Sequence, residues 1–90
     1  MDYFEWDPDK AKRNEVKHGI AFMEAQSVFL DPLVDIRPDD DHSSDEARFA
    51  ALGMSHLQRL LVVVFAERGE RIRIISARAA SRREARAYEG

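Results

Sequence analysis

The segment from Leu60 to Ala77 is the feature that most limits what this chain can fold into. Its first part, LLVVVFA at 60–66, is apolar at every position, which is typical of a central strand covered on both faces. The next residues, ERGE at 67–70, suit a tight turn in which Gly69 takes a positive φ. A second strand is predicted from Arg71 to Ala77, so a β-hairpin is the expected framework of the fold.

Two helices are predicted before the hairpin. Asp7 and Pro8 are residue types preferred at a helix N-cap and at the first helical position. Gly19 suits the left-handed residue that follows a helix, so the first helix should end at His18. Apolar residues at helical spacing in the segment 22–29 predict the second helix.

A short C-terminal helix and three more strands complete the predicted fold. Ser81 and Glu84 have the spacing of a capping box, which opens a helix of about two turns. Strands are expected at 3–6 and 33–36, whereas the segment 48–55 suits either a strand or a helix. The order β-α-α-β-β-β-β-α predicts one α+β domain, residues 1–90. Its antiparallel sheet should carry the two N-terminal helices and the short C-terminal helix.

The composition excludes several classes of protein. The chain has 90 residues and no cysteine, so a disulfide scaffold and a thiolate nucleophile are both excluded. The longest apolar run is only as long as a strand, and the acidic N-terminus lacks the basic region of a signal peptide. We therefore expect a cytoplasmic protein that does not bind membranes.

Charge is distributed unevenly along the chain. Residues 1–55 carry a net charge of −7 and residues 56–90 a net charge of +4. Six arginines lie in the segment 71–89. This polarity suits two partners of opposite charge or a dimer that pairs unlike surfaces, and chance scatter in a small domain is the alternative. The basic part fits a partner that carries phosphate groups, such as RNA.

Several motifs resemble the BrnT family of bacterial type II toxins. They are FEWD at 4–7, Asn14 placed before KHG at 17–19, ALG at 51–53 before RLLVVVF at 59–65, and RIRIISARAASRREARAYE at 71–89. The resemblance covers nearly the whole chain, and the last motif is its most specific part. It implies a compact RelE-like fold and a ribonuclease toxin that blocks translation. It also implies a DNA-binding antitoxin, BrnA, from the same operon, and toxin dimers joined through that antitoxin.

Three positions depart from the family pattern. Ala21 stands where a Ser or Thr usually caps the second helix, at an expected cost to that helix of roughly 0.5–2 kcal/mol. Ala79 and Met54 stand where basic residues are common. We expect the last two departures to weaken RNA binding while leaving the fold unchanged.

Cleavage of RNA without a metal defines which side chains a site would need. The 2′-OH of RNA is the nucleophile, so the enzyme supplies a base, cations for the charge that develops on the phosphate, and an acid for the leaving oxygen. Arginine suits the cationic role because its fork binds two phosphate oxygens. His18 suits the acid or base role, because the ordinary pKa of histidine is close to neutral pH.

Strict alternation divides the side chains of the strand that begins at Arg71 between two faces. The even-numbered positions from Ile72 to Arg78 are expected to face the helices. The odd-numbered positions, including Arg73 and Ala77, are then expected to lie on the open face. An anion is also expected at the start of the C-terminal helix, where Arg82 and Arg83 conflict with the helix dipole.

These arguments, with the family resemblance, select two groups of candidate residues. The candidates for catalysis are His18, Arg73 and Arg78, and those for RNA binding are Lys17, Arg59, Arg82, Arg83 and Tyr88. Each has a structural alternative: salt bridges to residues such as Glu67, Glu70 and Glu84 for the arginines, packing at a helix end for His18, exposure to solvent for Lys17, and docking of the last helix for Tyr88. Arg82 and Arg83 have antitoxin binding as a further alternative.

A metal site was considered in the loop DDDH at 39–42. Successive loop residues rarely converge on one ion, so no metal and no other cofactor are expected. The leading functional hypothesis is a metal-independent endoribonuclease toxin. The alternatives are an inactive toxin-fold module that acts in an antitoxin complex at the operator and, last, a direct DNA-binding protein, for which no helix-turn-helix pair is present.

Overall fold

The computed structural model describes residues 3–39 and 46–90, and it confirms the predicted order of elements. The strands are β1 (Tyr3–Glu5), β2 (Asp35–Pro38), β3 (Arg48–Met54), β4 (Leu60–Arg68) and β5 (Arg71–Ala79). The helices are α1 (Pro8–His18), α2 (Phe22–Ser27), a 3-10 helix (Val28–Leu30) and α3 (Arg82–Glu89). Within the described ranges, no helix is both long enough and apolar enough to span a membrane.

The five strands form one sheet in the order β1-β5-β4-β3-β2. The pairs β2–β3, β3–β4 and β4–β5 are antiparallel, as predicted, but β1 pairs with β5 in parallel. The expectation of a wholly antiparallel sheet was therefore wrong. No hairpin turn joins β1 to β5, because α1 and α2 follow β1 directly in the chain, so no turn imposes the antiparallel direction.

A β-bulge in β5 corrects the predicted assignment of its faces. Val64 is opposite Ser76 and Phe65 is opposite Ile74, so Ile75 is an extra residue without a partner in β4. Ala77 is consequently buried in the same core as Ile74, and the adjacent residue Arg78 is exposed. Strict alternation had placed Ala77 on the open face and Arg78 on the helix face, and both assignments were wrong.

Residues 20–28 pack against one face of the sheet and form a single core with β3, β4 and β5. Its buried members are Ile20, Phe22, Ala25, Val28, Ala51, Leu61, Val63, Phe65, Ile72, Ile74 and Ala77. Asn14 joins α1 to β5 within this core: its side-chain amide donates to the carbonyl oxygens of Ile20 (3.0 Å) and Ala77 (2.9 Å). Its side-chain oxygen accepts the Ala77 N–H at 3.1 Å, so α1 is bonded directly to the strand backbone.

The helix ends confirm the sequence interpretation. Asp7 caps α1 by accepting the Asp9 N–H at 2.9 Å, and Gly19 follows α1 in the left-handed region with φ 71°. Ser81 and Glu84 form the predicted capping box of α3. Ala21 occupies the N-cap of α2 and makes no side-chain hydrogen bond there, in line with the departure noted above.

Candidate functional site

Most of the candidate residues lie at the end of the sheet where β5 ends and β4 begins. Leu61 is opposite Ala79, and the Ala80 N–H donates to the Leu60 carbonyl oxygen at 2.9 Å. Arg59 and the start of α3 therefore lie close to one another. We call this end, with the candidates Lys17, His18, Arg59, Arg78, Arg82 and Arg83, the basic end.

Arg59 joins the basic end to α2 and to the last turn of α1. Its guanidinium donates from Nε to Glu24 Oε2 at 2.8 Å and from Nη2 to Glu24 Oε1. The same Nη2 donates to the Gly19 carbonyl oxygen at 3.3 Å, directly after Lys17 and His18, both of which are exposed. The structure thus brings these three candidates together.

Glu24 is a residue that the sequence analysis missed. It is only 3% exposed, and it accepts hydrogen bonds from Arg59 and from the Ser55 hydroxyl (2.7 Å). The Arg59 hydrogen bond is the largest cause that holds the pKa of Glu24 below its ordinary value, against the opposing effect of burial. A buried carboxylate that is paired in this way fixes the orientation of Arg59.

Arg78 is paired with Glu84, as the salt-bridge alternative had anticipated. Nη1 donates to Oε1 at 2.8 Å and Nη2 to Oε2 at 2.9 Å, so the carboxylate occupies the guanidinium fork. The hydrogen bond from Arg78 is the main cause that lowers the pKa of Glu84 to about 2. Any phosphate that used this fork would have to displace Glu84.

The start of α3 already contains an anion. Glu84 Oε1 accepts the Ser81 N–H at 2.8 Å, and the Ser81 hydroxyl accepts the Glu84 N–H at 3.1 Å. The carboxylate of Glu84 therefore takes the place of the external anion that we expected there. Arg82 and Arg83 are exposed in the first helical turn.

Arg73 does not join this group. It is separated from Arg78 by about 14 Å, because the residues opposite the two arginines on β4, Ala66 and Val62, are only four positions apart. Its neighbours in register are Glu5 on β1 and Ala66 on β4, and Ala66 is opposite Arg48 on β3. Arg73 and Arg48 thus lie on either side of Ala66 on the open face. The sequence did not identify Arg48 as a neighbour of Arg73, because the segment that contains Arg48 suited a helix equally well.

Tyr88 docks α3 rather than facing outward as a free group. Its hydroxyl donates to Asp31 Oδ2 at 2.5 Å, and the same oxygen accepts the Met54 N–H at 2.7 Å. This contact agrees with the structural alternative for Tyr88. Of the considered metal loop, residues 40–42 lie outside the described residues, and within the described ranges no three His, Cys, Asp or Glu residues are grouped as metal ligands.

A comparison with protein families identifies the family of this chain. Residues 6–84 match the family model described as the ribonuclease toxin BrnT of type II toxin-antitoxin systems. The chain belongs to the BrnT family. The match contains every candidate residue except Tyr88, and it agrees with the resemblance seen in the sequence motifs. No curated protein sequence matches the chain.

A solved BrnT structure has the same fold. The crystal structure of the Brucella abortus ribonuclease toxin BrnT superposes with a TM-score of 0.71 at 24% sequence identity. The alignment covers 91% of this BrnT-family chain and 100% of the Brucella chain. Membership of the family makes this chain a ribonuclease toxin of a type II toxin-antitoxin system, with RNA as its target and an antitoxin as its partner.

Proposed function

We propose that this BrnT-family chain is a metal-independent endoribonuclease whose cleavage of RNA stops translation in the cytoplasm. The observation that carries the proposal is the basic end, where Arg59 binds the Gly19 carbonyl oxygen, directly after the exposed residues Lys17 and His18, and lies close to the start of α3. Cations drawn from three separate elements suit a bent, single-stranded backbone better than they suit a single carboxylate partner. A RelE-like fold is part of the same proposal.

His18 and Arg78 have the catalytic roles in this proposal. His18 is exposed in the last turn of α1, so it can take the proton from the 2′-OH as the oxygen attacks phosphorus. Arg78 stabilises the negative charge that develops on the phosphate oxygens. The attack forms a 2′,3′-cyclic phosphate and breaks the bond to the 5′ oxygen, which takes a proton from water as it leaves.

The other candidates hold the RNA backbone around the reacting phosphate. Lys17, Arg82 and Arg83 are exposed and contribute charge, and Arg59 is oriented by Glu24. Arg73, about 14 Å along the sheet from Arg78, contacts a different phosphate from the one that is cut. Tyr88 binds RNA only if its hydroxyl leaves Asp31.

A BrnA-like, DNA-binding antitoxin holds the enzyme inactive in a hetero-oligomer, and two toxin chains are joined through the antitoxin. The family description, which names a type II toxin-antitoxin system, supports the antitoxin partner, and the BrnA-like identity and the stoichiometry are proposed from the resemblance of the sequence motifs. The acidic half of the chain, with a net charge of −7 over residues 1–55, is suited to a basic partner protein.

Cleavage of mixed-sequence single-stranded RNA in EDTA tests the proposal. The unmodified chain is expected to release products with 2′,3′-cyclic phosphate ends, and His18→Gln and Arg78→Ala are each expected to slow cleavage at least about 100-fold. Arg86→Ala removes an exposed arginine of α3 that is not among the candidates, and it serves as the matched control. Intact RNA after incubation with the folded chain would reject free-RNA cleavage, and a requirement for added Mg²⁺ would reject metal independence.

One observation favours the alternative of an inactive binding module. The fork of Arg78 is occupied by Glu84, and Ala79 and Met54 add no charge nearby. In that case the chain binds its antitoxin and contributes to operator binding without cutting RNA. Antitoxin binding by a folded chain that leaves RNA intact, on and off the ribosome, is the result expected from this alternative.

A further inference from the structure

An apolar groove opens on the helix-bearing face of the sheet, at the end opposite to the basic end. It has a volume of about 300 Å³ and lies between the 3-10 helix and the β4–β5 turn. Its apolar lining consists of Phe29, Ile36, Phe49, Phe65 and Ile72. No residue of α1 or α2, which are described in full, is among those that line it.

Apolar residues continue from the groove to the outer edge of β2. Ile36 lines the groove and is 47% exposed, and Leu33 (68%) and Leu30 (85%) are exposed just before the strand. β2 is the last strand of the sheet, so it has a strand neighbour only on its β3 side in the described part of the chain. An apolar area of this kind beside an open strand edge is typical of a protein-binding surface.

The rim of the groove is acidic. Glu67 and Glu70 line it, are exposed, and form no ion pair or side-chain hydrogen bond with the other described residues. Arg71, the cation at the same rim, is already paired with Glu5 at 3.3 Å. The rim therefore presents two uncompensated carboxylates around an aromatic floor.

We propose that this groove binds a segment of the antitoxin in which apolar side chains are flanked by Lys or Arg. The apolar side chains fill the space between the phenylalanine rings, and the cations pair with Glu67 and Glu70. This inference rests on the proposed function, because it assigns a surface to the antitoxin partner. It selects that partner over a second copy of this chain, whose groove carries the same two carboxylates.

The position of the groove separates binding of the antitoxin from competition with RNA. β4 runs from the basic end to the turn beside the groove, and its nine residues span about 30 Å. A segment seated in the groove therefore anchors the antitoxin without covering His18 or Arg78. Inhibition then requires a second part of the antitoxin, which reaches the basic end.

Charge reversal at the rim tests the electrostatic part of the proposal. The purified antitoxin of the same operon is titrated against the unmodified chain and against Glu67→Lys/Glu70→Lys. We expect the Kd to rise at least about tenfold, with a smaller difference at high salt. Glu15→Lys/Glu89→Lys, which changes the net charge by the same amount at two exposed positions elsewhere, should change the Kd less than about threefold.

Removal of one apolar side chain tests the groove itself. Ile36→Ser is expected to raise the Kd for the antitoxin at least about tenfold. Leu57→Ser is the matched control, because Leu57 is 56% exposed in the turn before β4 and lies outside the groove. Thermal unfolding of each variant confirms that the domain is intact before binding is compared.

The outcomes distinguish this inference from the proposed function. A higher Kd for the antitoxin in both groove variants supports antitoxin binding in the groove. This result holds whether or not the chain cleaves RNA, because binding is measured directly. Full RNA cleavage by a chain whose antitoxin binding is unchanged in both groove variants overturns the groove and leaves the nuclease in place. Light scattering measures the oligomeric state of each groove variant without antitoxin. If that state differs from the state of the unmodified chain while the antitoxin affinity is unchanged, the groove serves self-association and the proposal is overturned.

Discussion

Asn14 is the residue on which the attachment of α1 to the sheet depends. It is 7% exposed, and its amide satisfies both the N–H and the carbonyl oxygen of Ala77 as well as the carbonyl oxygen of Ile20. These backbone groups lie in the interior, where water cannot replace a lost partner. The amide therefore determines where α1, and with it His18, lies relative to β5.

Asn14→Ala is expected to lower the free energy of unfolding by about 2–4 kcal/mol, because it leaves three buried backbone groups without a partner. Urea denaturation followed by circular dichroism measures the effect. Lys12→Ala, at an exposed position of the same helix, is the control for helix propensity and should change the value by less than about 0.5 kcal/mol. A loss below about 1 kcal/mol for Asn14→Ala would show that the amide is dispensable.

Single residues show which features of the site a sequence can predict. The roles of Asp7 and Ser81 were predictable, because a helix cap depends on residues a few positions apart. The pairing of Glu24 with Arg59 spans 35 positions and depends on how α2 packs against the start of β4. No local pattern contains that information, so the sequence analysis missed Glu24.

The element that most affects the candidate site is α3. Two contacts hold it: the pair of Arg78 with Glu84 at its start and the bond of Tyr88 with Asp31 at its end. Burial acts to raise the pKa of Asp31, but hydrogen bonds from Met54, Tyr88 and Leu33 outweigh burial and lower it. A helix of eight residues is marginal alone, so these contacts decide whether it stays folded.

Acid is expected to release the start of α3. The pKa of Glu84 is lowered from 4.5 to about 2 in the folded chain, so its stabilising effect is complete above about pH 4.5 and is lost as the pH falls toward 2. The free energy of unfolding, measured by urea titration between pH 2 and 5, should therefore fall more steeply for the unmodified chain than for Glu84→Gln. Equal slopes for the two proteins would contradict the assigned pKa.

Glu84→Gln is also expected to increase RNA affinity. The amide keeps a hydrogen-bond acceptor for the cap but no longer neutralises Arg78, so the fork becomes available to phosphate. We expect the Kd for single-stranded RNA, measured by fluorescence anisotropy, to fall about threefold or more. Glu89→Gln changes the charge of the same helix equally, and an identical effect of the two substitutions would attribute the gain to net charge alone.

The β-bulge shows why the sequence did not predict which face of β5 each side chain occupies. The hairpin itself was predicted from its apolar run and its turn, and both were confirmed. The extra residue Ile75 has no signature of its own, because an isoleucine suits a regular strand equally well. One unpaired residue nevertheless moved Arg78 from the helix face to an exposed position.

Two surfaces of opposite charge lie at opposite ends of the described part of the molecule. Lys17, Arg59 and the first turn of α3 form the basic end, and the groove with Glu67 and Glu70 lies at the other. The length of β4 separates the two surfaces. The small net charge of −3 is therefore the sum of two surfaces of opposite sign. We infer that RNA and antitoxin make their first contacts at different ends of one small domain.

Salt dependence is expected to report the basic end directly. Lys17→Ala and Arg82→Ala should each reduce the steepness of log K against log salt for single-stranded RNA by about 0.7, the value for one phosphate contact. Lys10→Ala, two turns earlier on α1, is expected to leave the slope unchanged. Equal changes of the slope for all three substitutions would show that RNA is attracted by the overall charge of the protein and does not bind at the basic end.

The position of β5 between β1 and β4 has a consequence for the time at which the molecule becomes a toxin during its own synthesis. β1 leaves the ribosome first, but its strand partner consists of residues 71–79. Until those residues emerge, β1 has no strand to join, Asn14 lacks Ala77, and Arg78 is absent. The nascent chain therefore cannot assemble the candidate site before residues 71–79 have been synthesised.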